Sequence, residues 1–395
     1  MKIILLICII CLPFSNTQNT AYGCQTCSCF EQDSVCCFSN QEKTTLDSII
    51  QEHFKDSLPG LEILVIHEGK SIYHCAFGVS HFEKQIPLKQ NLIFETGSVT
   101  KLFTAVGILK LIEEEKLSLN DPLSQFYPDF PKSKKIKIKH LLSHTSGIPD
   151  YAIHFMEENI KEHFNNGFSK AHYFQNIDRK RVRKYLKDQF KGSEPGSDWE
   201  YSNGGYYLLG LIIEQVTGNS YFTYIEDHII KPLNLNNTTF QDPEDFCDSG
   251  YAGGHYYTND PSKEATQPYQ AYYLPNEYAF SAGALNSTIK DLYRFYKQVA
   301  EGTLIDKTLL EKAWTPYNLN NKEQANTGYG WFIHHKNGKK IICHPGCTMG
   351  FSAITHYVPE EDLFIGIYSN QNSQQINLND INITLTNKIF SFFYN

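Results

Sequence analysis

Glu95-Thr96-Gly97-Ser98-Val99-Thr100-Lys101-Leu102-Phe103-Thr104-Ala105-Val106 reads as the end of a strand, a tight glycine turn and the first turns of an apolar helix. Ser98 and Lys101 are three apart, which on a helix puts them on one face within reach of each other. Ser98 falls at the helix start, where free backbone N–H groups and the helix dipole favour developing negative charge. A serine nucleophile needs a base beside it and donors for an oxyanion, and this stretch offers both. Taken alone, the same residues also describe a capping serine with a solvated lysine one turn on. The rest of the chain has to decide.

Upstream, Leu61 to His67 reads as a strand, Glu68-Gly69-Lys70 as a hairpin turn and Ser71 to Gly78 as the partner strand. Before them, Thr45 to Phe54 has helical spacing with Thr44 or Thr45 as its cap. Downstream, the Ser98 helix runs to Glu115, and Lys132 to Lys139 alternates like a short extended segment with its lysines in solvent. Ile138 to Gly147 is a short helix closing in a glycine turn, and Tyr151 to Phe190 is helical and charged. Tyr206 to Val216 is a strongly apolar helix ended by Thr217-Gly218, and residues 242–278 form a long irregular excursion rich in Tyr, Asp, Gly and Pro. Strand texture returns at Gly328 to His334, Lys339 to His344, Phe351 to Val358 and Leu363 to Ser369, before a last helix from Asn377 to Phe393. The fold class is α+β: an antiparallel sheet built from both chain ends and flanked by helices. Its two parts are residues 45–120 and 280–393, with a mainly helical subdomain, residues 121–279, inserted between them.

With 395 residues, 41% hydrophobic and 20% charged, the chain can bury a large core. A net charge of −8 with scattered Lys and Arg argues against a nucleic-acid binder. Lys2, the apolar run Ile3 to Leu12 and the small polar Ser15-Asn16-Thr17 read as a secretory signal peptide over residues 1–17. That run is shorter than the roughly 20 residues a membrane span needs, and no later stretch is apolar enough to span. The expected location is extracellular, or periplasmic in a bacterium. Of 11 cysteines, Cys8 and Cys11 leave with the signal, while Cys24, Cys27, Cys29, Cys36 and Cys37 crowd a polar segment over residues 18–44. In an oxidising compartment this segment reads as a disulfide-stapled appendix, with a zinc knuckle as the rival reading. The odd number left in the mature chain leaves a thiol free or available for an intermolecular disulfide. No bridge between Cys343 and Cys347 is expected. Asn236, Asn237, Asn286 and Asn382 head glycosylation sequons that a eukaryotic host could use. No histidine or carboxylate cluster has metal-ligand spacing.

Two further motifs change the weight of Ser98-x-x-Lys101. Tyr201-Ser202-Asn203-Gly204-Gly205-Tyr206 lies on a loop just before the apolar helix, and His344-Pro345-Gly346-Cys347-x-x-Gly350 ends a strand. In this order and separation the three resemble the motifs of the serine β-lactamase and penicillin-binding-protein superfamily. They are most like its class C and esterase branch, with Tyr-x-Asn in the middle and His-x-Gly in place of Lys-Thr-Gly. His144-Thr145-Ser146-Gly147, Pro195-Gly196, Ser281-Ala282-Gly283-Ala284 and Ser369-Asn370 resemble further landmarks, and the likeness covers roughly residues 45–393.

The resemblance implies roles. Ser98 forms an acyl-enzyme, and Lys101 or a readily ionised Tyr201 serves as base. Asn203 orients Lys101 or binds substrate, and His344, Gly346 and Cys347 line the substrate cleft. The backbone N–H groups of Ser98 and Cys347 make the oxyanion hole. His144 is structural. Relatives carry at position 344 a lysine that anchors a substrate carboxylate; a histidine is largely neutral at pH 7, so that preference weakens. The expected function is a secreted serine hydrolase, without metal or cofactor, cleaving esters, amides or small peptides. The alternatives are a D-alanyl-D-alanine carboxypeptidase or β-lactamase, and a catalytically inactive binding or scaffold protein.

Overall fold

Leu61–His67 (β1) is apolar at almost every position and buried on both faces, the pattern of a strand in the middle of a sheet rather than at its edge. The computed structural model describes residues 38–166, 177–241, 250–257, 268–372 and 378–394. The signal peptide, the crowded cysteines up to Cys37, and Cys247 lie outside the described residues.

Helix α1 (Asn40–His53) starts before Thr45, which corrects the expected cap. Ser39 Oγ accepts from the Glu42 N–H at 3.2 Å, and the Glu42 carboxylate accepts from the Ser39 N–H at 2.7 Å. After β1 come its hairpin partner β2 (Lys70–Phe77), a small ribbon of β3 (Val79–His81) and β4 (Ile86–Pro87), and β5 (Phe94–Glu95). Helix α2 (Thr100–Glu113) follows directly and is buried on nearly all sides, so it lacks a polar stripe. The middle of the chain holds α3 (Ile138–Leu142), α4 (Ala152–Asn166), α5 (Arg179–Asp188), α6 (Asn203–Thr217) and α7 (Tyr221–Ile225). It also holds β6 (Gly254–Tyr256) and β7 (Tyr269–Ala271), two strands inside the stretch expected to be irregular. The chain then forms α8 (Asn276–Gly283), β8 (Asn286–Ser287), α9 (Ile289–Glu301) and α10 (Lys307–Ala313). It ends in β9 (Phe332–Lys336), β10 (Lys339–Cys347), β11 (Ser352–Val358), β12 (Leu363–Ser369), β13 (Gln371–Asn372) and α11 (Leu378–Phe393).

The main sheet has six antiparallel strands in the order β2-β1-β12-β11-β10-β9. Its seam joins the two chain ends, with Ile63 opposite Ile367. On one face Leu61, Ile63, Val65, Ile365 and Ile367 pack against Leu46 and Ile50 of α1 and Leu385 and Ile389 of α11. On the other, Leu64, Ile66, Phe364 and Tyr368 meet the larger core built around α2, α6 and α9. Each such side chain contributes about 1.5–3 kcal/mol when fully buried. This second face carries the site.

Lys132 to Lys139 is not a strand. Lys132 and Lys135 turn to Glu194, Ile136 and Ile138 are buried, and α3 begins at Ile138. Asn236 and Asn237 are exposed, but Asn286 and Asn382 are buried and present no side chain to a glycosylating enzyme in the folded chain. Among the described residues, no helix is long and apolar enough to cross a membrane.

Candidate active site

Two glycines let β10 touch the Ser98 turn. Gly97 has a left-handed backbone (φ +51°), and a Cβ there would fall 2.8 Å from the Cys347 nitrogen. A Cβ on Gly346 would fall 1.9 Å from the Thr96 carbonyl oxygen and 3.2 Å from the Ser98 nitrogen. The strand end and the turn are thus in backbone contact, with the Ser98 and Cys347 amides on adjoining segments. Ser98 occupies a single 3₁₀ turn, Gly97–Val99, ahead of α2. The tighter turn still brings the pair together: Lys101 Nζ lies 3.0 Å from Ser98 Oγ.

Lys101 is fully buried. Its Nζ donates to Ser98 Oγ, to Asn203 Oδ1 at 2.6 Å and to the Ala282 carbonyl at 2.7 Å. Three donors meet three acceptors, so the ammonium is satisfied. Burial nevertheless penalises its charge and lowers its pKa to about 7, against the opposing pull of the Asp150 carboxylate. Asn203 Oδ1 and the Ala282 carbonyl can only accept. When Lys101 is neutral, its two remaining N–H bonds go to them and its lone pair is left facing Ser98 Oγ. The Ala282 carbonyl is aimed by a break inside α8, where Phe280 has φ +39°.

Sequence reasoning missed Asp150. Its Oδ2 accepts from Asn203 Nδ2 at 2.8 Å, and its Oδ1 accepts from the Ala152 N–H at 2.8 Å. Burial raises its pKa above the usual carboxylate range. The residue lies three positions after Gly147 of the His144-Thr145-Ser146-Gly147 landmark, which was the available signal.

Tyr201 stacks on His144, with ring centroids 4.4 Å apart, and its ring lies 5.0 Å from Lys101 Nζ. The expectation of an easily ionised phenol is corrected. Burial drives the Tyr201 pKa above 10, outweighing its hydrogen bond with Ser98, so the phenol stays protonated. His144 accepts from the Ser202 N–H through Nδ1 at 3.1 Å, and its carbonyl accepts from the Glu200 N–H at 2.9 Å. It thereby pins the loop that carries Tyr201.

His344 differs from expectation as well. It is fully buried between Tyr201 and Phe332 instead of lining an open cleft. Nδ1 lies 2.6 Å from the Pro345 carbonyl, which assigns the proton to Nδ1, and Nε2 has no hydrogen-bond partner. Burial and the nearby Lys101 charge lower its pKa to about 3. Cys347 is exposed, with Sγ accepting from Asn372 Nδ2 at 3.1 Å. Cys343 is buried and unbridged, and Cys75 is buried. Four residues apart on an extended strand, Cys343 and Cys347 are separated by about 13 Å, beyond disulfide reach. All seven expected positions, Ser98, Lys101, Tyr201, Asn203, His344, Gly346 and Cys347, therefore converge at one place. Among the described residues no cluster of potential metal ligands occurs.

A mixed fold with a half-buried Ser98 and Tyr201 around a fully buried Lys101 at the sheet face is the architecture of the serine β-lactamase and penicillin-binding-protein superfamily. The chain belongs to it: residues 46–387 match the β-lactamase family. It is 33% identical to penicillin-binding protein 4* of Bacillus subtilis over 308 residues, which cover 74% of this chain and 64% of that protein. It is 29% identical to protein flp of Staphylococcus aureus over 356 residues, covering 86% of this chain and 65% of the other. The chain thus spans less than two thirds of the length of these relatives. The structure of an octameric penicillin-binding protein homologue from Pyrococcus abyssi superposes with a TM-score of 0.70 at 28% identity, covering 84% of this chain and 73% of the other. D-amino acid amidase from Ochrobactrum anthropi shares the fold, with a TM-score of 0.72 at 20% identity and coverage of 89% and 99%.

Proposed function

We propose that the protein is a serine hydrolase that works through an acyl-enzyme on Ser98 and acts on esters, amides or small peptides without a required carboxylate. The observation that carries this reading is Lys101 Nζ, 3.0 Å from Ser98 Oγ, with acceptor-only partners on its other sides. Neutral Lys101 takes the Ser98 proton as Oγ bonds to the acyl carbon and the carbonyl π pair moves onto oxygen. The amides of Ser98 and Cys347 hold that oxyanion. As the bond to the leaving group breaks, protonated Tyr201 gives it a proton and is reprotonated by the Lys101 ammonium. Water then hydrolyses the acyl-enzyme through the same groups in reverse. His344, buried and neutral, supplies no cation for a carboxylate, which favours uncharged acyl substrates over penicillins. The reading includes export, on the charged start and apolar run of residues 1–17.

The test is p-nitrophenol release from p-nitrophenyl acetate by wild type and Ser98→Ala. A burst or steady turnover confined to the wild type supports the nucleophile, and Tyr201→Phe should then slow acylation about 10²- to 10⁴-fold. Equal rates in two folded proteins would overturn the assignment. Labelling by a fluorescent penicillin faster than by the ester would restore the β-lactam reading, and amides of D-amino acids extend the panel toward the chemistry named for the Ochrobactrum protein.

A further inference from the structure

Asn203 has an amide whose two ends look alike to a lysine only in outline. Its oxygen can accept from Lys101, whereas its nitrogen would oppose donor to donor. The amide orientation is therefore decided by what holds the nitrogen end, and that is Asp150 Oδ2 at 2.8 Å. A carboxylate is an acceptor only, so it fixes Nδ2 toward itself and Oδ1 toward Lys101, 2.6 Å away. Among the described residues, the same carboxylate is the one anion among the charged or titratable groups acting on Lys101. From the other elements the lysine is faced by the rings of Tyr201 and Tyr206, at 5.0 and 5.6 Å from Nζ, and by the hydroxyl of Ser98. His144 and His344, also near it, are both held neutral by burial. The Ala282 carbonyl completes the shell.

We propose that Asp150 is a positioning residue for the reaction: through the Asn203 amide it aims Lys101 at Ser98, and its charge sets the pH at which Lys101 becomes a base. The proposal rests on the acyl-enzyme reading of Ser98 and adds a residue that makes no contact with the reacting atoms. The two effects have separable signatures. Loss of the amide anchor lowers the rate at every pH. Loss of the negative charge makes the Lys101 ammonium easier to deprotonate, so the acid limb of the pH profile moves down. A residue that merely held the fold would scale the profile without moving it.

The experiment is the pH dependence of kcat/KM for p-nitrophenyl acetate, from pH 5 to 9, for wild type, Asp150→Asn and Asp150→Glu, with a thermal melt of each. For Asp150→Asn we expect kcat/KM to fall about tenfold at pH 8 and the acid limb to move down by about one pH unit, the scale of an opposite charge removed at short range. Asp150→Glu, which keeps the charge, holds the limb near its wild-type position. A limb that stays in place or moves up in folded Asp150→Asn overturns the proposal, as does an equal downward move in Asp150→Glu. Should Asp150→Asn fail to fold, Asp150→Ser, which removes the charge and leaves room for water beside Asn203 Nδ2, carries the same expectation for the limb. If wild type itself shows no Ser98-dependent release, the acyl-enzyme reading falls first. Release with an unmoved limb sinks only the role of Asp150.

Discussion

A fully buried ammonium such as that of Lys101 is a stability cost. The Lys101 pKa is lowered to about 7 from 10.5 by burial. Below pH 7 the lysine is charged in both folded and unfolded chains, and the folded state bears the whole desolvation penalty. Between pH 7 and 10.5 the folded chain sheds the proton while the unfolded chain keeps it, so the penalty shrinks as pH rises. Lys101→Met, close in length and apolar, should therefore raise Tm by more at pH 6 than at pH 9.5 while abolishing activity, with a gain of a few degrees at the lower pH. Differential scanning calorimetry at both pH values checks the sign, and an equal or reversed gain contradicts the buried-ammonium account. At this scale the sequence was informative where chemistry depends on residue type at short spacing. Ser98 and Lys101 sit one turn apart, and Tyr201 and Asn203 flank one serine. It marked Ala282 only as part of a landmark and gave it no role, because the residue contributes only a carbonyl that any residue could offer. It was misleading on Tyr201, because phenol ionisation depends on burial that appears only after folding.

Backbone contact between two elements sets the Ser98 and Cys347 amides of the proposed oxyanion hole on adjoining segments, and it depends on the missing side chains of Gly97 and Gly346. A Cβ at Gly346 would sit 1.9 Å from the Thr96 oxygen, so β10 must part from the Ser98 turn to admit it. Gly346→Ala should reduce kcat at least 100-fold, since a displacement near 1 Å at a reacting centre has that scale of effect. The comparison is Gly218→Ala at the left-handed C-cap of α6, where φ is +73° and no atom lies within 4 Å of the added carbon. That change should cost about 1 kcal/mol of stability and leave kcat alone. Activity assays beside urea titrations of both variants settle the contrast, and similar kcat losses would remove the special status of the β10 contact. The elements themselves were largely legible. β1 matches its reading residue for residue, and α6 ends at the glycine expected to end it. The start of α1 was missed although Ser39-Asn40-Gln41-Glu42 carries the capping-box spacing, and the lysine-rich stretch was misread because its alternation belongs to a turn pinned by Glu194.

In the whole molecule, the sheet separates two cores with different duties. The face toward α2 and α6 carries the site, and the face toward α1 and α11 carries none of its residues. That division was visible in outline, since strands at both chain ends with helices between them leave one sheet to be shared. Which helices cover which face was not visible, because it depends on register: Ile63 lies opposite Ile367, and the odd positions of β1 from Leu61 to Val65 point to the α1 side. Leu46 of α1 is completely buried in that outer core, against strands that join the two ends of the chain. Leu46→Ala removes its methyl groups and leaves a cavity that the strands cannot collapse without bending, so the loss should be about 2–5 kcal/mol. Because α1 touches none of the site residues, kcat/KM should stay within about twofold of wild type at temperatures where the variant is folded. Urea unfolding monitored beside ester turnover tests both halves. A stable Leu46→Ala would show that α1 is an ornament on the sheet, and a stability loss accompanied by a large fall in kcat/KM would show that the two cores are mechanically one.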